Sequence, residues 1–230
     1  MIDVPDDLDL TAPQARVLGA LIEKQLSTPD AYPMTLKALT TACNQTSNRD
    51  PVVDYEPQLV ETTIHALKGK GVARIVHPRS GERSTKFRHV LDEALDIGEA
   101  ETALLSVLLL RGAQTVNELR IRTERLHQAD ADAIEATLAA MSGGDRPLVQ
   151  RLDPAPGQKE ARWLQLLEVG VEERAAAAAR SSGRDGSGGS RQAGRVEELE
   201  DRVARLEARV AGLVEALGDL VDLPEGEPTA

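Results

Sequence analysis

The chain has 230 residues, of which 41% are apolar and only 2% aromatic, and its formal net charge is −11. A core must then be built from Leu, Val, Ile and Ala, a composition that favours helices, and the acidic balance argues against a general nucleic-acid coat. Cys43, the one cysteine, excludes an intramolecular disulfide and a multi-thiolate metal site. No apolar run approaches the roughly 20 residues that a membrane span needs.

Residues 1–10 are acidic, with Asp3, Asp6, Asp7 and Asp9, and are expected to be loose. They lack the apolar stretch of a secretory signal, so a cytoplasmic location is expected. Thr11-Ala-Pro-Gln14 reads as a capping box that opens a first helix. Leu18, Leu21, Ile22 and Gln25 form its stripe, extended by Ala15 and Leu26. The run from Ser27 to Pro33 reads as a loop. A second helix carries Leu36, Leu39 and Cys43 at helical spacing, which makes Cys43 a small buried hydrophobe. A polar connector, Asn44 to Pro51, follows. A third helix turns Val60, Ile64 and Leu67 to the core and Glu61, Thr62, His65 and Lys68 to water. Two short strands, Val72–Val76 and Lys86–Val90, flank a turn at Pro78 to Gly81. Phe87 and His89 share one face of the return strand, Lys86 and Arg88 the other.

The pattern is then written a second time. Leu104, Leu105, Leu108 and Leu109 line a helix ended by Gly112, and Thr115-Val-Asn-Glu118 is another capping box. Ile134, Leu138 and Met141 repeat the spacing of Val60, Ile64 and Leu67. Pro147–Leu152 and Ala161–Leu166 flank a Pro/Gly turn, with Trp163 standing where Phe87 stood. Helix, helix, helix and hairpin, repeated, is the layout of tandem winged helices. The expected fold is mainly α with small β-hairpin wings, with one winged helix over 11–92 and a second over 93–168.

Residues 169–180 read as an Ala-rich helix and 181–194 as a flexible Gly/Ser linker. Over 195–222, Val196, Leu199, Val203, Leu206, Val210, Leu213, Leu217 and Leu220 alternate spacings of three and four. That is a heptad seam. Val at position a with Leu at d favours a parallel pair, and Arg195, Arg202 and Arg209 across from Glu200 and Glu207 agree. A parallel coiled-coil homodimer is expected, with a helix folded back on its own domain as the alternative. Residues 223–230 are expected to be a disordered tail.

Two stretches carry a resemblance. One is Ala15-Arg-Val-Leu-Gly-Ala-Leu-Ile-Glu-Lys24 with Thr28-Pro29, Tyr32-Pro33 and Ala42-Cys-Asn-Gln-Thr-Ser-Asn-Arg-Asp-Pro-Val52. The other is Leu108-Leu-Leu-Arg-Gly-Ala-Gln-Thr115 with Glu118-Leu-Arg120. Over roughly residues 10–168 the chain resembles the YceH-like family of bacterial proteins, whose function is unknown. The resemblance implies two winged helices in tandem and a helical tail, and it brings no site residues with it.

No phosphate-cradling loop, zinc spacing or nucleophile elbow is present, so no enzyme, metal or cofactor is expected. His65, His77, His89 and His127 are dispersed. Two functions remain nearly even. Regulatory binding of duplex DNA is placed marginally first, because residues 68–90 hold seven cations against one acid, Glu82. The candidate backbone contacts are Lys68, Lys70, Arg79, Arg83, Lys86 and Arg88. Against it, Glu61 opens the exposed face of the third helix, and Asp130, Asp132 and Glu135 open its repeat. The alternative is a protein-interaction scaffold without DNA contact, a role that tandem winged helices of the ScpB-type layout also serve. The polar connector has two readings as well. As a recognition loop it would present Asn44, Gln45, Asn48 and Arg49. As a structural loop, slightly favoured, its side chains bond its own backbone, and Arg49 pairs Asp50, Asp54 or a neighbouring helix.

Overall fold

The computed structural model describes residues 8–78, 84–154 and 160–182, with side chains as far as residue 176. The linker, the heptad seam from Val196 to Leu220, and Arg79 and Arg83 of the first wing lie outside the described residues. It is a mixed α/β structure in which helices dominate and the sheets are small and antiparallel.

The first half runs α1 (Ala12–Ser27), β1 (Met34–Thr35), α2 (Leu36–Cys43), α3 (Pro57–Gly69), β2 (Ala73–Val76) and β3 (Lys86–His89). Gln14 Oε1 accepts from the Thr11 backbone N–H at 2.9 Å, closing the expected capping box. The expected loop after α1 contains one 3₁₀ turn, Pro29–Ala31. Thr35 caps α2 by accepting from the Ala38 N–H. Val60, Ile64 and Leu67 of α3 are fully buried. The wing is a three-stranded sheet ordered β1-β3-β2, in which Phe87 lies between Met34 and Ile75.

A short helix, α4 (Leu91–Leu95), leads to the second half: α5 (Glu99–Arg111), α6 (Val116–Thr123), α7 (Ala131–Met141), β4 (Val149–Leu152) and β5 (Arg162–Gln165). Gly112 ends α5 at φ 71°, a conformation that glycine reaches without strain. Thr115 and Glu118 close the second capping box. The two halves correspond closely. Gln114 bridges Trp163 just before α6, as Met34 pairs Phe87 just before α2. His89 Nδ1 accepts from the Leu91 N–H, and Gln165 Oε1 accepts from the Leu167 N–H two residues on in the same way.

The helix patterns are less amphipathic than a one-sided stripe predicts. Every residue from Gln14 to Ile22 in α1 is buried, and so is every residue from Thr102 to Leu110 in α5. Each of these helices packs on its own half with one side and on the other helix with the opposite side. They meet at Gly19, where an added Cβ would lie 2.9 Å from Leu110 Cγ and 3.1 Å from Leu109 Cβ. One core therefore runs through both halves, and residues up to 183 form one compact unit.

Residues 8–10 correct the expectation of a loose start. Leu8 and Leu10 are buried. The Leu10 N–H donates to Leu167 O at 2.8 Å, and the Val169 N–H donates to Leu10 O at 3.0 Å. Asp9 between them has φ 42°, so the chain turns there and both leucines go inward while Asp9 stays exposed; the acids around them masked that signal. Beyond this bridge α8 (Val171–Ser182) forms the Ala-rich helix.

Candidate functional site

In the first wing, Arg74 and Arg88 stand directly opposite each other on β2 and β3. Like charges in that arrangement repel. Glu93, on α4, answers both, at 3.0 Å from Arg74 and 3.1 Å from Arg88. Lys70 Nζ donates to the backbone carbonyls of Leu8 at 2.6 Å and Asp9 at 3.3 Å. Lys68 is exposed at the end of α3, and Lys86 is half-buried. Of the candidate backbone contacts within the described residues, Lys70 and Arg88 thus have partners inside the fold, and Lys86 is not free either. On α3 the exposed face carries Gln58, Glu61, Thr62, His65 and Lys68; the matching positions on α7 and its C-cap carry Asp132, Glu135, Ala136, Ala139 and Ser142, with Glu135 half-buried.

The connector from Asn44 to Pro51 is tied down through Asn44, Gln45, Asn48, Arg49 and the Asp50 backbone N–H. Asn44 accepts from the Tyr55 N–H at 2.8 Å and donates to Tyr55 O at 2.9 Å. The Arg49 guanidinium, fully buried, meets both carboxylate oxygens of Glu23 on α1 at 3.0 and 2.7 Å. It also donates to Ala42 O and to Gln45 Oε1. Burial alone would raise the Glu23 carboxyl, but the bonds and charge of Arg49, aided by Lys24, hold it below its ordinary value. Asn48, at φ 59°, accepts from Arg111 Nη1 at 2.7 Å, and the Asp50 N–H donates to Leu110 O at 2.9 Å. The connector therefore caps the C-terminal end of α5. Of the four recognition-loop candidates, Arg49 is buried, Asn44 and Gln45 are half-buried, and Asn48 alone is exposed. Among the readings of Arg49, the neighbouring helix is the one observed.

Beside this connector the halves form a half-open cavity of ≈ 590 Å³ that no sequence pattern marks. Its walls come from α1, the connector, α5, α6, β4, β5 and α8, so its residues are scattered from Ala12 to Ala175. Five arginines line it: Arg16, Arg111, Arg122, Arg162 and Arg174. Arg122 lies 3.5 Å from Glu118, and Arg174 lies 2.7 Å from Glu168. Arg16 is 4% exposed and donates to the carbonyls of Cys43 and Pro51. Burial lowers the pKa of Arg16, with nearby Arg49 adding to the effect; burial and then Arg122 lower that of Arg111. Burial raises that of Glu168 despite Arg174. Among the described residues, Arg162 Nε and Gln114 Oε1 are buried with no hydrogen-bond partner.

Cys43 is fully buried, and burial pushes its thiol up to about 12, as fits a packed apolar group. Among the described residues no helix is long and apolar enough to cross a membrane, and no cluster of His, Cys, Asp and Glu could hold a metal ion.

Residues 10–158 match the model of a family described as protein of unknown function, DUF480. A UPF0502 protein of Geobacter sulfurreducens is 48% identical over 168 residues, covering 71% of this chain and 76% of that protein. A UPF0502 protein of Solibacter usitatus is 43% identical over 204 residues, 87% of this chain and 94% of the relative. One from Shewanella sp. strain MR-4 is 37% identical over 221 residues, 93% and 98% of the two chains. On these matches the chain belongs to the DUF480, or UPF0502, family of bacterial proteins of unknown function.

Proposed function

We propose that the chain is a non-enzymatic tandem winged-helix adaptor, which binds a protein partner through the outward faces of its two third helices, α3 and α7. The observation that carries this reading is electrostatic. In a winged helix that reads DNA, the third helix enters the major groove and the wing meets phosphate. Here Glu93 holds Arg74 and Arg88, and backbone carbonyls hold Lys70. Glu61 sits on the exposed face of α3, and Asp130 and Asp132 sit at the start of α7. Acid at the groove entrance is repelled by phosphate. The joint core of α1 and α5 further supports an adaptor, because it fixes α3 and α7 relative to each other.

DNA contact through the first wing is the second reading. The excess of cations over residues 68–90 and the exposure of Lys68 favour it. The heptad in the sequence of 196–220 supports a homodimer under either reading.

A photo-crosslinking residue placed at Gln58, His65 or Ala136 in the full chain tests the choice inside cells. The adaptor reading expects discrete protein adducts from these positions and none from the exposed control Asp96. Nucleic-acid adducts at Gln58 and His65 would replace it with the DNA reading.

A further inference from the structure

We propose that the cavity between the two halves binds a small organic oxyanion, a carboxylate or phosphate group carried on an apolar body. The proposal does not rest on the adaptor reading. At ≈ 590 Å³ the cavity is of the size that holds a metabolite-scale ligand. Its charges are unevenly satisfied. Glu118 is committed to the capping box of α6 and lies near Arg122, and Glu168 is committed to Arg174. Among the described residues, Arg16, Arg111 and Arg162 have no carboxylate within ion-pair distance. Asp50 and Asp153, the remaining acids of the lining, are solvent-exposed.

Two buried polar atoms also lack partners. Gln114 is 5% exposed, and its amide nitrogen donates to Arg111 O and Ala113 O while its Oε1 accepts from nothing. Arg162 Nη1 makes one long bond, 3.4 Å, to Ala113 O, and its Nε donates to nothing. Buried polar groups are normally bonded, so these two atoms mark lining residues whose hydrogen-bonding capacity the fold itself does not fill. An oxyanion supplies acceptors for Arg162, and the planar guanidinium fork matches carboxylate and phosphate in particular. The apolar part of the wall includes Val53, Tyr55, Leu108, Leu109 and Leu164. A bare inorganic ion would leave that surface unfilled, and a neutral apolar molecule would leave the arginines unanswered.

The test titrates the full chain with octanoate and octyl phosphate, with 1-octanol, acetate and inorganic phosphate as controls. Fluorescence of Trp163, the only tryptophan, which lies between Arg162 and Leu164 on β5, and the melting temperature are followed together. The expected result is saturable binding of octanoate, octyl phosphate or both, at least tenfold tighter than any control. The two long-chain arms decide which head group is preferred. Arg162→Gln should weaken binding at least tenfold, as should Val53→Phe, which fills the cavity without removing a charge. Circular dichroism establishes that each variant is folded, and Val53→Phe decides if Arg162→Gln is not. Equal binding of 1-octanol, unchanged affinity in a folded variant, or no saturable binding at millimolar probe each overturns the proposal.

Discussion

His89 and Gln165 occupy matching places in the two halves, yet one can titrate and the other cannot. Each accepts from a backbone N–H two residues on, and each has an acid three residues on, Asp92 or Glu168. Burial pushes the His89 imidazole down to about 4; Asp92 and Glu93 oppose the shift, and Arg88 adds to it. Its Nε2 is buried with no hydrogen-bond partner among the described residues. An unfolded His titrates near 6.5, so between about pH 4 and pH 6.5 the unfolded chain binds more protons. The stability contributed by neutral His89 is therefore complete above pH 6.5 and is lost as the pH falls towards 4. His89→Gln should keep the Leu91 bond, reach Asp92 as Gln165 reaches Glu168, and flatten this part of the melting profile relative to the parent. An unchanged difference between pH 7 and pH 4.5 would show that His89 does not carry it. Arg49 makes a larger prediction. Glu23→Gln leaves a buried guanidinium without its carboxylate, which costs about 3–5 kcal/mol and is measurable by urea unfolding. The local side-chain pairing of His89 and Phe87 was legible from strand alternation. The partner of Arg49 was not, because Glu23 lies on α1, and nothing in the connector's own sequence selects it over Asp50 or Asp54.

At the level of elements, repeated spacing was the strongest signal. The three helices, the hairpins and the matched places of Phe87 and Trp163 all follow from it. The strand β1 and the bridge at Gln114 were missed because one or two residues carry no period. The stripe reading of α1 was also incomplete. Its other side is covered by α5, and periodicity within one helix cannot name a second neighbour. Gly19 is the residue that lets them meet. Gly19→Val would place a branched side chain against Leu109 and Leu110 without the helix-propensity gain that alanine offers. It should destabilise the chain by about 2–3 kcal/mol through overpacking. The loss should register as a single cooperative shift in urea, since both halves share the contact. Two separate transitions, with only one half affected, would contradict a joint core.

For the whole molecule, the cavity and the joint core arise from long-range packing, which is why the sequence pattern showed neither. The heptad is a different case: its pattern is plain in the sequence, and it predicts assembly. Leu206→Asp with Leu213→Asp would put charges into the seam. The variant should sediment as a monomer while residues 11–168 melt as before, and a variant that stays dimeric would place the interface elsewhere. The central claim, that the outward faces serve a protein partner and not duplex DNA, is tested most directly by fluorescence anisotropy of the full chain on a labelled duplex across a salt series. The account predicts binding weaker than about 10⁻⁴ M at physiological salt, the weak end of non-specific association, and no change on Lys68→Ala with Lys86→Ala. Micromolar or tighter affinity, with a log-affinity against log-salt slope that flattens by about 0.9 for each cation removed, would contradict it.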